Sequence, residues 1–297
     1  MKISVIIPTF NRKAKLIRTL DSIKRSTFPL KDFEVIIIDD GSSDDTGQII
    51  KNYPKDKLNL TYYCQVNQGP AKARNVGVEL AKAAIVLFCG DDTLFHKNLL
   101  KRHYELHKEN KGIAVLGLCL WDEHLDVDRF MRYIAPNGFQ YNYSLIDNEE
   151  DAGFSFFYTC NISLEKRWFN FAKFDTSFTD AAYEDIDLGY MLEKKGLKIH
   201  YCEDAIVYHS HKYDPESFYK RMEKVGKNAE VYFRKHKDLK SKDMKSDAFP
   251  GSLHIIKLIF GILAKSMIIK EINIERHWFF NIFYNKFKGI LLKRKEY

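Results

Sequence analysis

"VLFCGDDTLFHKN", Val86 to Asn98, is the stretch on which the fold turns. Val86, Leu87, Phe88 and Cys89 make an uninterrupted apolar run, the mark of a short strand buried on both faces. After one glycine the chain presents two adjacent carboxylates, Asp91 and Asp92. Like charges delivered to one point repel and need a compensating positive group. Gly-Asp-Asp is also ordinary turn chemistry. From these residues alone, a solvated turn and a divalent-cation site both remain open.

Working outward from that strand, the same grammar repeats. Ile3 to Ile7 is a β-branched run that ends at Pro8, and Lys13 to Lys24 carries Leu16, Ile17, Leu20 and Ile23 at helical spacing. Phe33 to Ile38 reads as a second buried strand, followed by "DDGSSDDT" and a helix from about Thr46 to Asn52. Leu60 to Cys64 is a third strand, "NQGPAKARNVGVELAKA" a loop and helix, and Ala84 to Phe88 the fourth strand. Strands alternating with helices predict an α/β fold with a mostly parallel sheet and helices on both faces. Ligands of such sheets bind beyond the carboxyl ends of the strands. Polar residues gather at those ends: Thr9, Asn11 and Arg12; Asp39 and Asp40; Gln68, Lys72 and Arg74; Asp91 and Asp92. Carboxylates can accept from a base or ribose, an arginine can hold phosphate, and paired carboxylates can hold a bridging cation. Neither a G-x-x-x-x-G-K-[ST] loop nor a G-x-G-x-x-G after the first strand is present, which argues against a P-loop NTPase and a dinucleotide dehydrogenase.

The second half adds "YEDIDLGYMLEKKGLKIHY", with Glu184, Asp185 and Asp187 at its start, Lys194 and Lys195 at its end, and Gly196 just beyond. That is a helix written with its dipole and caps, so its acids could serve the helix end alone. Leu197 to Cys202 reads as a strand, and "AIVYHSH" sets His209 and His211 on one side of an extended segment. Same-side histidines suit metal binding, and a core histidine is the simpler alternative.

The bulk numbers bound the rest. With 297 residues, 45% of them hydrophobic, the chain can hold one large domain, or one domain and an appendage. Its net charge of +7 is uneven. Residues 251–297 carry nine Lys/Arg against three Asp/Glu, residues 212–246 eleven against six, and the first 211 a net of −3. A basic, aromatic tail points to an anionic membrane surface rather than nucleic acid. The five cysteines are scattered and form no C-x-x-C pair, which predicts a reducing, cytoplasmic setting. The first apolar run has only five residues before Pro8, too short for a signal-peptide core.

Seven segments together resemble the family-2 glycosyltransferases of the GT-A fold: "SVIIPTFNR", "VIIIDDGSSDDT", "NQGPAKARNVG", "LFCGDDT", "FYTCNISLEKRWF", "FDTSFTDAAYEDIDLGYMLEKKGLKI" and "AIVYHSH". They run in that family's order over roughly residues 3 to 211. The resemblance implies an inverting transferase that moves a sugar from a nucleotide-diphosphate sugar, a UDP-sugar above all, to a hydroxyl of a glycan or lipid-linked acceptor. It implies nucleotide contacts from Pro8, Thr9 and Arg12, a base-reading acid at Asp40, and Arg74 beside base and diphosphate. Asp91 and Asp92 match the D-x-D region, whose first acid is here Gly90. Asp92 would hold Mn²⁺ or Mg²⁺, and Asp91 would meet the ribose or the metal's waters. Asp185 matches the general base, with Glu184 orienting it or contacting the acceptor. His209 matches a further metal or diphosphate ligand, with His211 the weaker candidate.

In the segment 116–146, Trp121 could be a stacking platform for sugar or acceptor, or a core aromatic; Phe156, Phe157, Tyr158 and Asn161 could line the same cleft. Two rival functions differ in sequence signal. A nucleotidyltransferase would show a glycine-rich basic loop where this chain has "PTFNRKAK". A non-catalytic nucleotide-sugar-binding module would not need Asp92, Asp185 and His209 together.

The expected organisation is a GT-A domain over 1–212, a helical connector over 213–250 and a basic amphipathic region over 251–297. "SLHIIKLIFGILAKSMIIK", Ser252 to Lys270, is broken by His254, Lys257 and Lys265, so it lacks the roughly 20 apolar residues needed to span a bilayer. With "HWFFNIFYNKFKGILLKRK" it fits helices lying on the inner face of the membrane, or a helical pair that packs on the chain itself or joins subunits.

Overall fold

The structure is a computed structural model that describes residues 1–54, 58–178, 180–239 and 274–294. They form two compact units, one of the described residues within 1–128 and 146–212, the other of residues 129–145, 213–239 and 274–294.

The first unit is built on an eight-stranded sheet in the order β3-β2-β1-β4-β7-β6-β8-β5. Its strands are β1 (Ile3–Thr9), β2 (Phe33–Asp39), β3 (Leu60–Cys64), β4 (Ile85–Cys89), β5 (Thr93–Phe95), β6 (Ile113–Trp121), β7 (Asn161–Glu165) and β8 (Lys198–His209). β3, β2, β1 and β4 are mutually parallel. β7 runs antiparallel between β4 and β6, β8 is parallel to β6, and β5 closes the edge antiparallel to β8. The three strands at the heart of the parallel part are largely apolar: Val5, Ile6, Ile7, Val35, Ile36, Ile37, Val86, Leu87 and Phe88 are buried, and the buried polar pair Ser4 and Glu34 is satisfied by a hydrogen bond of 2.7 Å. A strand covered on both faces has no solvent side to spend on polar residues.

The helices follow the predicted positions closely: α1 (Lys13–Ile23), α2 (Thr46–Lys51), α3 (Gly69–Leu80) and α6 (Glu184–Glu193). Gly77 on α3 lies so close to Ile6 that a Cβ there would collide with it, so the glycine lets the helix settle on β1. α4 (Leu99–Glu109) was not legible as a separate element, and β8 runs seven residues beyond the expected end at Cys202. That extension carries the chain from the far end of the sheet to His209.

The second unit joins α5 (Arg129–Ile134) to α7 (Pro215–Lys235) and α8 (Ile274–Arg294). Phe130 packs edge-on to Phe218 and Trp278, at 5.8 and 5.2 Å between ring centres, and Phe139 meets Phe283 at 5.6 Å. Gly226 of α7 and Gly289 of α8 each face the other helix's backbone where any Cβ would collide. Segment 129–145, which the sequence reading kept inside the 1–212 domain, thus belongs with the C-terminal helices because its aromatics are shared with them. Trp278, Ile282 and Ile290 are buried here, and Phe279, Tyr284 and Leu291 are exposed. The Ser252–Lys270 segment lies outside the described residues. Among the described residues, no helix is long and apolar enough to cross a membrane.

Beneath the sheet, α4 contributes two buried histidines. Burial pushes His103 down to about 3 and His107 down to about 4. Both are therefore neutral in the fold, whereas an unfolded chain protonates them near pH 6.5. Below that pH the unfolded state binds protons that the fold refuses. Each histidine should then remove roughly 1 kcal/mol of stability per pH unit as pH falls from about 6.5 towards 4. The expected outcome is a shallower loss of melting temperature between pH 7 and pH 5 for His107→Gln than for the wild type. Parallel slopes would reject this source of acid sensitivity.

Candidate functional site

The sheet brings four polar strand ends together. β4 ends into Gly90-Asp91-Asp92, and both carboxylates are buried. Asp91 accepts from Thr9 Oγ1 at 2.8 Å and from Arg12 at 3.2 Å. The same Arg12 nitrogen donates to Asp92 Oδ2 at 3.0 Å. Thr19 of α1 donates to the Asp91 carbonyl, and the Ser210 amide to that of Asp92. The turn is therefore anchored from β1, α1 and the end of β8. Gly90 leaves room there: a Cβ would lie 3.0 Å from an Asp92 carboxylate oxygen and 2.9 Å from Thr93 Oγ1, and those side chains would have to shift.

From the other side β8 delivers imidazoles. His209 Nε2 is 3.5 Å from Asp92 Oδ1, and His211 Nδ1 is 3.3 Å from Asp92 Oδ2. One ligand atom from each of Asp92, His209 and His211 can be chosen so that all lie within 4.8 Å of one another, the only such group among the described residues. Two imidazoles and a carboxylate are a donor set that fits a divalent metal of the first transition row. The rings of Trp121, His209 and His211 form a stack, 5.5 and then 5.8 Å between centres and nearly parallel. His211 thus stands in the cluster on equal terms with His209, where the sequence reading had ranked it lower.

The electrostatics follow from the geometry. Burial and the neighbouring Asp92 push Asp91 up to about 6, against the pull of Arg12 and Thr9. Burial works in the same direction on Asp92, but His209, His211 and Arg12 outweigh it and hold that carboxyl well below its usual range. For His211 the bond to Asp92 favours the protonated ring, while burial and nearby Lys15 outweigh it and lower its pKa. Lys15 Nζ is 2.8 Å from His211 Nδ1 and 3.7 Å from Asp92, and burial lowers its own pKa.

A second group of carboxylates opens α6. Glu184 is fully buried and pairs with Arg74 of α3 at 2.8 Å. Burial and Asp185 push Glu184 up to about 7, against Arg74. Its Oε2 and the Arg74 Nε are buried without a hydrogen-bond partner. Asp185 is half-buried. One of its oxygens accepts from the Ile186 amide at 2.9 Å, the other only from Thr159, at 3.4 Å from the amide and 3.5 Å from the hydroxyl. Burial raises its pKa.

Several expectations change in the folded chain. Asn161 does not line a cleft: it is sealed in the sheet, bonded to His103 and to two main-chain carbonyls. Phe156 and Phe157 are likewise fully buried. Trp121 gives one ring face to His209. Asp40 already accepts from Gln65 Nε2 and from the Gln68 and Gly69 amides, at 2.7 to 2.9 Å, so it latches the loop before α3. Pro8 sits within β1, paired with Ile38. Lys15, Arg18 and Asp122 escaped the sequence reading. Arg18 bonds Ser210 and Asp122 at 2.6 and 2.8 Å and so braces the loop between the two histidines. Their only sequence signal was that Arg12, Lys15 and Arg18 recur every three residues, which marks one side of a helix start.

The comparisons agree with this architecture. Validoxylamine A glucosyltransferase of Streptomyces hygroscopicus subsp. jinggangensis is 31% identical over 220 residues, 66% of this chain and 52% of that protein. The chain thus spans about half the length of that relative. Among solved structures, mannosyltransferase PcManGT from Pyrobaculum calidifontis, in complex with GDP-Man and Mn²⁺, superposes with a TM-score of 0.68 at 15% identity, over 98% of this chain and 86% of that one. S. aureus TarS 1-349 in complex with UDP-GlcNAc gives a TM-score of 0.57 at 21% identity, over 98% and 82%. These two likenesses are of fold, the GT-A arrangement of a mostly parallel sheet with flanking helices. The profile of glycosyl transferase family 2 matches residues 4–171, more than half of the chain, which therefore belongs to that family.

Proposed function

We propose that the chain is an inverting glycosyltransferase that moves a sugar from a nucleotide-diphosphate sugar, a UDP-sugar in the first instance, to a hydroxyl of a glycan or lipid-linked acceptor. The observation that carries this reading is the convergence of Asp92, His209 and His211 on one point at the strand ends. Those residues would hold Mn²⁺ or Mg²⁺, which as a Lewis acid would stabilise the charge growing on the leaving diphosphate. Arg12 and Lys15, beside the same carboxylates, would meet the diphosphate oxygens, and Asp91 the ribose. Asp40 and the loop it latches would bound the base.

Asp185 is the base in this reading. Its raised pKa moves it towards neutrality, where a general base works best. Its loosely held oxygen can take the acceptor's proton while the acceptor oxygen forms a bond to the anomeric carbon and the carbon–phosphate oxygen bond breaks. A single base opposite the leaving group gives inversion. The Arg74–Glu184 pair holds the start of α6 beneath it. The basic C-terminal residues would hold the chain to the inner, anionic face of a membrane, near a lipid-linked acceptor.

Three measurements test these roles. Asp92→Ala should abolish Mn²⁺-dependent binding of UDP in isothermal titration, and unchanged affinity would remove Asp92 from the metal site. Asp185→Asn keeps size but cannot accept a proton, so donor binding should survive while transfer falls by at least about 10²-fold. Near-normal transfer with a slightly lower melting point would leave Asp185 only a helix-end role, worth about 0.3–1 kcal/mol. Full-length protein should sediment with anionic vesicles at low ionic strength and be released by salt; indifference to such vesicles would end the membrane reading.

A further inference from the structure

The path of β8 to the metal cluster contains an irregularity that fixes where the histidines arrive. From Ile113↔Lys198 to Gly117↔Cys202, β6 and β8 pair in one register. The next pair is Leu118↔Ile206, and the new register runs to Trp121↔His209. Glu203, Asp204 and Ala205 therefore oppose no residue of β6. Three extra residues have two consequences. Had the first register continued through them, Ile206 would stand beside Trp121, and His209 would lie about 10 Å further along, at about 3.3 Å per residue. An odd offset also puts each later β8 side chain on the face of the sheet opposite to the one it would take in the unshifted register.

A jump in register breaks the ladder and threatens to orphan buried carbonyls. One side chain repairs this one. Asn161 of β7 donates from Nδ2 to Ala205 O at 2.8 Å and to Leu118 O at 3.2 Å, the two residues that flank the jump. Gly117 makes room, since a Cβ there would collide with the Asn161 amide and the Ala205 carbonyl. The amide is itself held in orientation. With Nδ2 committed to carbonyls, Oδ1 accepts from His103 Nε2 at 2.9 Å. His103 Nδ1 then accepts from Ser163 Oγ at 2.8 Å, and Ser163 Oγ accepts from His107 Nε2 at 2.8 Å. Asn161, Ser163 and His103 have no exposed surface. Each proton in this chain has one donor and one acceptor, so the amide cannot turn without leaving a buried group unpaired.

We propose that Asn161 is a positioning residue for the metal centre: by bridging Leu118 and Ala205 it holds the three-residue offset of β8 that brings His209 and His211 to Asp92. Asn161 touches neither substrate nor metal. It acts through the β8 backbone, and its partners Gly117 and His103 serve that bridge. The inference rests on the reading of Asp92, His209 and His211 as a cation site.

The test is a Mn²⁺ titration of the full-length chain without nucleotide, followed by the electron paramagnetic resonance of free Mn²⁺, with melting temperatures recorded alongside. Asn161→Leu keeps the branched heavy-atom outline, with bulkier methyls, and removes both bridging bonds, and Gly117→Ala presses on the same bulge from β6. Ser163→Ala cuts the buried chain on the far side of His103 and leaves the bridge intact. Outer-shell partners of metal ligands typically change affinity by about 10–100-fold. A weakening of that size is expected in Asn161→Leu and Gly117→Ala. Ser163→Ala should lower the melting temperature with Mn²⁺ affinity within about twofold of wild type. If Asn161→Leu does not fold, Gly117→Ala alone decides. Wild-type affinity in whichever of the two folds overturns the positioning role, as does equal weakening in all three variants. Failure of the wild type to bind Mn²⁺ would instead overturn the cation-site reading beneath it.

Discussion

Two buried carboxylates on adjacent residues are the constraint around which this molecule is arranged. Asp91 and Asp92 leave β4 side by side, and burial makes their mutual repulsion expensive unless cations answer it. The answering cations are Arg12, which reaches both acids from the end of β1, and Lys15, which stands over Asp92 from α1; His209 at the end of β8 and His211 just beyond it set their imidazoles beside Asp92. A carboxylate pair so closely held by side-chain cations has the chemistry to exchange one positive partner for another.

That arrangement needs β1, β4 and β8 to end at the same place, and the sheet achieves this in two ways. In the parallel part, β1 and β4 are direct neighbours, so Thr9 and Asp91 meet with no special device. Beyond the antiparallel β7 the ladder is irregular, and a buried polar chain from His107 to Asn161 stands at the irregularity. Polar groups this deep are costly unless every one is satisfied. Here they trade that cost for a definite register, whereas β1, β2 and β4 combine apolar packing with one buried polar pair, Ser4 and Glu34.

The carboxylates of α6 answer a different cation. Arg74 reaches from α3 to Glu184 and lies over the ring of Phe174 at 5.5 Å. This fixes the first turn of the helix while Asp185, the next residue, keeps one oxygen only loosely engaged. One acid is thus built into the frame and its neighbour left available, a division of labour between adjacent residues that burial and pairing alone decide.

The sequence by itself determined the elements whose evidence is local. The apolar runs of β1, β2 and β4, the helical spacing of α1 and the acid-to-base gradient of α6 are each contained in a dozen residues, because strand burial and helix dipoles act over that range. It also determined that acids cluster at strand ends, where the proposed site lies. Tertiary structure alone decided how the acids are paired. The resemblance already set Asp185 apart from Glu184, but only the fold shows Arg74, 110 residues away, bonded to Glu184. Asn161 reads in sequence as a possible cleft residue beside Phe156, Phe157 and Tyr158; only the register jump between β6 and β8 gives it carbonyls to satisfy. Segment 129–145 lacked any local mark of its partners, since its aromatics are completed by α7 and α8, 80 or more residues on. Periodicity is a property of neighbours along the chain, while pairing and register depend on which distant strand arrives alongside.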